Sequence, residues 1–278
     1  IAAASLARAF AAQGAKPIVI AGQAPMASGN PAALVTPGLD AGGGEAARLQ
    51  AQAFARAVTL YRAEPDAVIA QGVTRRPKSE RDPARFAKVA AQSMFAPGSL
   101  EAGPGGLEIK DGLVIEPAAI TSSWLGPGPL GAEILALDRV EHGWRLRFAD
   151  GRPDLTADVV ILAAGWGTAA LTALPLSPIR GQVSFAQAEV RPAPLAGGAY
   201  VAPTRSGFLF GATHDRGVTD AEVRSEDHQR NLAALAELNP ELAATVDVTR
   251  LEGRAGVRAT TPDRMPIAGE IAPGLFVL

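Results

Sequence analysis

The chain contains no cysteine and, among its 278 residues, only three histidines, two tyrosines and three tryptophans. The missing thiols exclude a disulfide framework, a thiolate zinc or iron-sulfur site and a cysteine nucleophile. They suit the cytoplasm, which is the expected location. So few histidines leave no ligand spacing for a cage, and no metal is expected. Charge is sparse too: 26 basic residues stand against 28 acidic ones, a formal net charge of -2. Such a chain has no global attraction for a polyanion, so any nucleic-acid partner must be held by a local patch. Apolar residues make up 47% of the sequence, enough for a sizeable core and too many for a disordered chain. The uncharged stretch from Val159 to Leu176 raises the question of a membrane span. Gly165, Gly167 and Pro175 interrupt it, so it reads as a buried strand and a tight turn, and no membrane association is expected.

Along the chain, Ile1 to Gln13 predicts a helix of small residues stopped by Gly14, and Lys16 to Ile20 a buried strand after it. Together they make half of a parallel βαβ unit. Gly22 to Gly44 is a glycine- and proline-rich loop too long to be a mere connection, hence a candidate binding segment. Helices are predicted for Glu45 to Arg62, Asp82 to Met94, Pro117 to Leu125 and Asp220 to Leu238. Strands are predicted for Ala67 to Val73, Gln182 to Ala186, Ala199 to Ala202 and Gly207 to Ala212. Gly106 to Ile115 reads as a hairpin turning near Lys110 to Gly112, and Ala132 to Ala149 as a hairpin with Trp144, Leu146 and Phe148 on one face. Asp158 to Ala164 reads as a central strand opening a glycine loop at its carboxyl end, where open α/β sheets bind ligands. The chain opens on Ile1 and stops on Leu278 after an apolar strand, so it is expected to be a piece of a longer protein.

Several groups could carry chemistry. Ser28, Gly29 and Asn30 offer a hydroxyl, an unhindered amide and a carboxamide in sequence, either an oxygen-binding loop or an ordinary turn. Arg258 lies in a segment stiffened by glycine and proline, with Arg254 and Arg264 nearby. It is either a surface arginine or a fork that takes a carboxylate in two hydrogen bonds. His214 and Asp215 are the one pair suited to histidine catalysis, but no nucleophile motif accompanies them. The run Arg75, Arg76, Pro77, Lys78 is the densest basic cluster, either a solvated loop or a phosphate contact.

Five segments carry a resemblance: Ala27-Ser28-Gly29-Asn30-Pro31; Ile161-Leu162-Ala163-Ala164-Gly165; Pro178-Ile179-Arg180-Gly181-Gln182-Val183-Ser184; Gly211-Ala212-Thr213-His214-Asp215-Arg216; and Gly253 to Asp263. In this order they resemble the D-amino-acid-oxidase-like flavoproteins and, within them, the FAD-dependent half of the bifunctional tRNA 5-methylaminomethyl-2-thiouridine biosynthesis proteins. The resemblance implies an α/β fold of the glycine oxidase and D-amino-acid oxidase type, a Rossmann-like FAD-binding domain with an interleaved mixed α+β substrate domain. The first would comprise residues 1–65, 115–178 and 254–278, the second residues 66–114 and 179–253. It implies FAD contacts at Ala3, Ala27, Ser28, Gly29, Asn30, Ile134, Ala163, Ala164 and Gly165, and places Arg258 at the substrate carboxylate. The implied reaction oxidises the carbon-nitrogen bond of a carboxymethylaminomethyl group on the tRNA wobble uridine, giving aminomethyluridine and glyoxylate, with a fused methyltransferase domain as partner. The alternatives are an oxidase of a free amino acid of the glycine or sarcosine type and a flavin-less binding protein. Two features depart from the family pattern. Its first strand with a Gly-x-Gly would precede Ile1, and Ala21 or Gly22 stands where an acidic residue holds the adenosine ribose.

Overall fold

The computed structural model describes residues 1–22, 26–126 and 128–278. Gln23, Ala24 and Pro25 of the long loop lie outside the described residues. The helices are α1 (Ala2–Ala12), α2 (Glu45–Arg62), α3 (Asp82–Ala90), α4 (Pro117–Leu125), α5 (Ser225–Leu238) and the single turn α6 (Pro240–Ala243). Small side chains let α1 bury Ala4 and Ala7, and Gly14, at φ +80°, turns the chain out of the helix. Its Arg8 guanidinium lies over the Trp124 ring of α4 at 5.5 Å. Helix α2 buries Ala47, Ala51, Phe54 and Val58, one stripe at helical spacing, and carries Glu45 in its first turn and Arg62 in its last, both favourable to the helix dipole.

A ten-stranded sheet dominates the molecule. Its path runs from Asp215–Arg216 through Ser177–Gln187, Gly207–Gly211, Tyr200–Thr204, Leu195–Ala196, Val68–Arg75 and Gly106–Ile115 to Ala33–Val35. Glu252–Thr260 lies alongside Ser177–Gln187, and Leu100–Gly103 alongside Gly106–Ile115. Two short parallel pairs supply the Rossmann-like part: Ile20–Ala21 with Leu130–Gly131, and Val160–Leu162 with Leu275–Val277. An antiparallel three-stranded sheet, Ile134–Arg139, Trp144–Phe148 and Leu155–Ala157, shares their apolar cluster, in which Val160, Leu162, Leu275 and Val277 meet Trp144, Leu146, Ile20 and Ile134. The Glu252–Thr260 strand crosses the expected boundary at residue 254, and Ala33–Val35 joins the large sheet although residues 1–65 were expected in the other unit.

The structure corrects several expectations. Of the predicted Lys16 to Ile20 strand only Ile20 pairs in register with a neighbour, with Ala21 continuing the pair; the Val19 carbonyl accepts from the Leu130 amide at 2.8 Å, and Ile18 is 67% exposed. The loop 22–44 contains the strand Ala33–Val35. Gly106–Ile115 is one continuous strand; the hairpin turns instead at Pro104-Gly105, where Gly103 faces Gly106, whose φ of +127° suits glycine. Val160–Leu162 sits at the end of its three-stranded sheet rather than at the centre. Helix α3 stops at Ala90, where Gln92 turns its carboxamide onto the Asp40 carbonyl at 3.0 Å.

Helix α5 begins at Ser225, not Asp220, because the preceding residues are committed to a buried cation. Arg180 is fully enclosed. Its Nη1 donates to Asp227 Oδ2 at 2.6 Å, its Nη2 to Gln182 Oε1 at 3.0 Å and to the Glu222 carbonyl, and its Nε faces Asp220 at 3.4 Å. Gln182 in turn holds Arg224 by a donated bond to its carbonyl and an accepted bond from its amide, each 2.8 Å. Residues 220–224 are therefore pinned outside the helix, which starts only after Arg224, itself extended. Removing one partner of a buried ion pair typically costs about 3–5 kcal/mol because the other charge is left uncompensated. Arg180→Met should therefore lower the urea unfolding free energy by about that much, and adding Asp227→Leu should recover most of it. Equal stability of parent and single variant would contradict this account.

Candidate functional site

Side chains alternate across a strand, and residues directly opposite on neighbouring strands share a face. On Ser177–Gln187, Arg180, Gln182 and Ser184 point toward α5, while Ile179, Gly181 and Val183 point the other way. Opposite these three stand Arg258, Gly256 and Arg254. The face away from α5 thus presents Arg254 and Arg258 on one strand with Gly256 between them.

Arg254 ties the long loop to this face. Its Nη1 donates to Asn30 Oδ1 at 3.1 Å and its Nη2 to the Met26 carbonyl. The amide of Gly29 donates to the same carbonyl at 3.0 Å, which closes the turn. A side chain at Gly29 would put its Cβ 2.5 Å from Arg254 Nη2, and one at Gly256 would come 3.1 Å from Ala27 Cα. Glycine at both positions lets loop, guanidinium and strand lie flat on one another. The Ser28-Gly29-Asn30 segment is accordingly a turn, and one clamped onto the strand that carries Arg258. Burial draws the Arg254 pKa below its ordinary value. Ser28 Oγ accepts from the Ile1 nitrogen at 3.4 Å, which brings the loop to the start of α1. No side chain among the described residues caps the first turn of α1, whose Ala2 and Ala3 amides are donors of the kind that bind an anion.

Arg258 reaches across Gly181, where an added Cβ would lie 2.9 Å from its Nη2 and 3.0 Å from the Thr213 carbonyl. That Nη2 lies 3.4 Å from His214 Nδ1. Desolvation first, and the charges of Arg258 and Arg216 next, pull the His214 pKa below its usual 6.5, so the neutral ring accepts from the arginine. The pair His214 and Asp215 does not form. Strand alternation sends the Asp215 carboxylate toward α5, where it takes Arg230 at 2.9 Å and Arg180 at 3.4 Å. His228 also lies on the α5 side, with its Nδ1 2.8 Å from Ser184 Oγ.

Tyr200 was not legible as a site residue, although it is one of only two tyrosines. It pairs through Gly211 with Val183, opposite Arg254, and so belongs to the same face. Burial pushes its phenol up to about 12, and Arg258 is near enough for its charge to oppose that shift. The face therefore offers a guanidinium and a phenol that stays protonated, both of them donors to an anion.

The other expected positions are less concentrated. Gly165, at φ +57°, follows Ala163 and Ala164 and opens the 3-10 stretch Gly165–Ala170, which abuts the Glu252–Thr260 strand. Ile134 packs against the apolar cluster around Val160. Arg75 does not sit in a loop: it ends the Val68–Arg75 strand, half-buried near Asp82 and Arg85 of α3. Among the described residues no group of His, Asp and Glu is placed to hold a metal ion, and no helix is long and apolar enough to cross a membrane.

The family described as DAO, FAD dependent oxidoreductase, matches residues 1–278. The tRNA 5-methylaminomethyl-2-thiouridine biosynthesis bifunctional protein MnmC of Caulobacter vibrioides is 49% identical over 292 aligned positions, covering 100% of this chain and 49% of that protein. The chain spans about half the length of the curated relatives it matches. Iminodiacetate oxidase from Chelativorans sp. BNC1 superposes with a TM-score of 0.78 at 20% identity, over 99% of this chain and 86% of that one. Glycine oxidase from Bacillus cereus gives 0.72 at 19% identity, over 99% and 87%. The fold is the α/β, Rossmann-like arrangement expected from the sequence.

Folding depresses the His214 pKa, so protonation of this ring opposes the folded state. Its contribution to stability is present above 6.5 and is lost as the pH falls through the lower folded value. Arg258→Gln should raise the His214 pKa in an NMR titration, by removal of the neighbouring charge. An unchanged value would contradict the contact.

Proposed function

Because this chain belongs to the DAO family of FAD-dependent oxidoreductases, we propose that it oxidises the carboxymethylaminomethyl group of the tRNA wobble uridine, releasing glyoxylate and leaving an aminomethyl group. The observation that carries this reading is Arg258: exposed, free of any ion pair among the described residues, and set beside a protonated tyrosine on a face tied to the flavin-type loop. The group to be oxidised is an N-substituted glycine, and its carboxylate needs such a fork. The 49% identity to the Caulobacter relative supports the tRNA-linked substrate, and the remainder of a longer protein would supply the methyltransferase that takes the product onward. With tRNA as substrate, the protein works in the cytoplasm.

The residues present fit FAD. The start of α1, at Ala2 and Ala3, suits the pyrophosphate, and Ser28 to Asn30 lie beside it. Ala163 to Gly165 stand at the carboxyl end of a parallel strand, where such sheets take a dinucleotide. Ala21 and Gly22 offer no carboxylate to the ribose. When bound, FAD supplies the acceptor for the hydride that leaves the glycyl carbon. Arg258 fixes the carboxylate and so orients that carbon, and Tyr200 adds a phenol donor that keeps its proton. His214, neutral near pH 7, adds no competing charge and leaves the amine free to arrive deprotonated. Water then adds to the resulting carbon-nitrogen double bond and the bond breaks.

The second reading, oxidation of a free N-substituted glycine, draws on the net charge of -2, which favours a small substrate over a polyanion. Both readings require Arg258. Arg258→Ala should weaken substrate binding by about 2–4 kcal/mol, much of it the cost of an unpaired carboxylate, while flavin content stays at the parent level. Arg258→Lys should recover part of the loss, since a point charge cannot reproduce the fork. An Arg258→Ala protein with the parent's apparent substrate constant would remove Arg258 from the carboxylate site.

A further inference from the structure

The sheet sorts charge by face. The carboxylates of Asp215, Asp220 and Asp227 all turn toward Arg180, Arg224 and Arg230 on the α5 side. On the opposite side, Ile179 is flanked in one row by Arg216 on one neighbouring strand and Arg258 on the other. Two strand spacings, roughly 10 Å, separate the two arginine backbones. Arg264 stands just beyond the end of the Arg258 strand, in the turn that Arg264 N closes onto the Thr261 carbonyl at 3.1 Å. Arg216 and Arg264 are exposed, and neither makes an ion pair among the described residues. The acid nearest in sequence, Asp263, is spent locally, accepting from the Met265 amide at 3.0 Å and from Thr261.

Arg264 carries a second mark. Its φ is +62°, and it is the one residue other than glycine with positive φ among those described. Glycine would adopt that conformation without the Cβ clash, so the chain keeps a long cation where backbone geometry favours none. The left-handed turn sets Arg264 just beyond the end of the Arg258 strand, and the charges of Arg216 and Arg264 both reach His214.

We infer that Arg216 and Arg264 form a phosphate-binding rim, which holds the backbone of a nucleic-acid substrate on either side of the nucleotide whose carboxylate Arg258 takes. The inference rests on the tRNA reading above and specifies how this face engages its polyanion. A free amino acid has no phosphates and gains nothing from the rim. The arginines of this face also answer the difficulty posed by a net charge of -2, because Asp215, Asp220 and Asp227 are neutralised on the far side of the sheet.

The test uses the flavin-loaded protein and an anticodon stem-loop of tRNA, with binding followed by fluorescence anisotropy over a salt series. Arg216→Gln/Arg264→Gln should bind the stem-loop at least about tenfold more weakly at roughly 0.1 M salt. The slope of log affinity against log salt should be shallower by about 1.5–2, the loss of two phosphate contacts. Its turnover of a small N-substituted glycine should stay within about twofold of the parent. Arg264→Gly alone should raise thermal stability while weakening stem-loop binding, a combination that a merely structural role would not give. The remote pair Arg56→Gln/Arg145→Gln serves as a charge-matched control and should leave binding near the parent level. Parent-like affinity and slope in the rim variant overturn the rim and leave the oxidation of modified tRNA standing. A parent protein that neither binds the stem-loop nor prefers modified tRNA to the free N-substituted glycine overturns the tRNA reading, and the rim with it.

Discussion

The buried guanidinium of Arg180 is the constraint on which this end of the molecule depends. A fully enclosed cation is tolerable only when carboxylates and carbonyls surround it, and satisfying it draws Asp227, Asp215, Asp220, Gln182 and the Glu222 carbonyl to one side of the sheet. That requirement fixes where α5 begins, how residues 220–224 run and which way Asp215 points. Strand alternation does the rest. With Arg180 turned toward α5, its neighbours Ile179 and Gly181 must face the other way, and they place Arg258, His214 and Arg216 together on the open face.

The two faces thus have opposite characters. One is dry and internally neutralised, closed by Val201, Phe208, Phe210 and Leu235 beneath α5. The other carries guanidinium groups that lack carboxylate partners, and it joins the long loop through Arg254. Arg254 and Arg258 are four residues apart on one strand and do different work. The first is half-buried and spent on Asn30 and Met26; the second is exposed and left with a weakly accepting imidazole. A ligand carboxylate can replace that imidazole at little cost, whereas displacing Arg254 from the loop would undo the fold of residues 26–30.

The sequence made the regular helices legible because their signals are local: the stripe from Ala47 to Val58, Pro117 at the start of α4 and Gly14 after α1 all act within a few residues. It also showed Arg258 and the Ser28 to Asn30 loop, because glycine and proline around them restrict the backbone. What it could not show were relations set by register. That Arg254 meets Asn30, that Asp215 leaves His214 for Arg230, and that Tyr200 shares the Arg258 face follow from which strands pair. No local pattern encodes that. The turn signal of Lys110, Asp111 and Gly112 marks a different feature: the strand bulges there, with Ile109 opposite Val73 and Leu113 opposite Gln71, while the chain reverses at Pro104-Gly105. The Asp220 to Arg224 segment has helical composition and is held out of the helix by the buried ion network.

Product analysis tests the central claim most directly. The flavin-loaded protein is incubated with tRNA bearing the carboxymethylaminomethyl group at its wobble uridine, and both the nucleoside and the small-molecule product are quantified by mass spectrometry. The account predicts aminomethyluridine and glyoxylate in equal amounts. Recovery of unchanged tRNA under conditions in which a free N-substituted glycine is oxidised would contradict it.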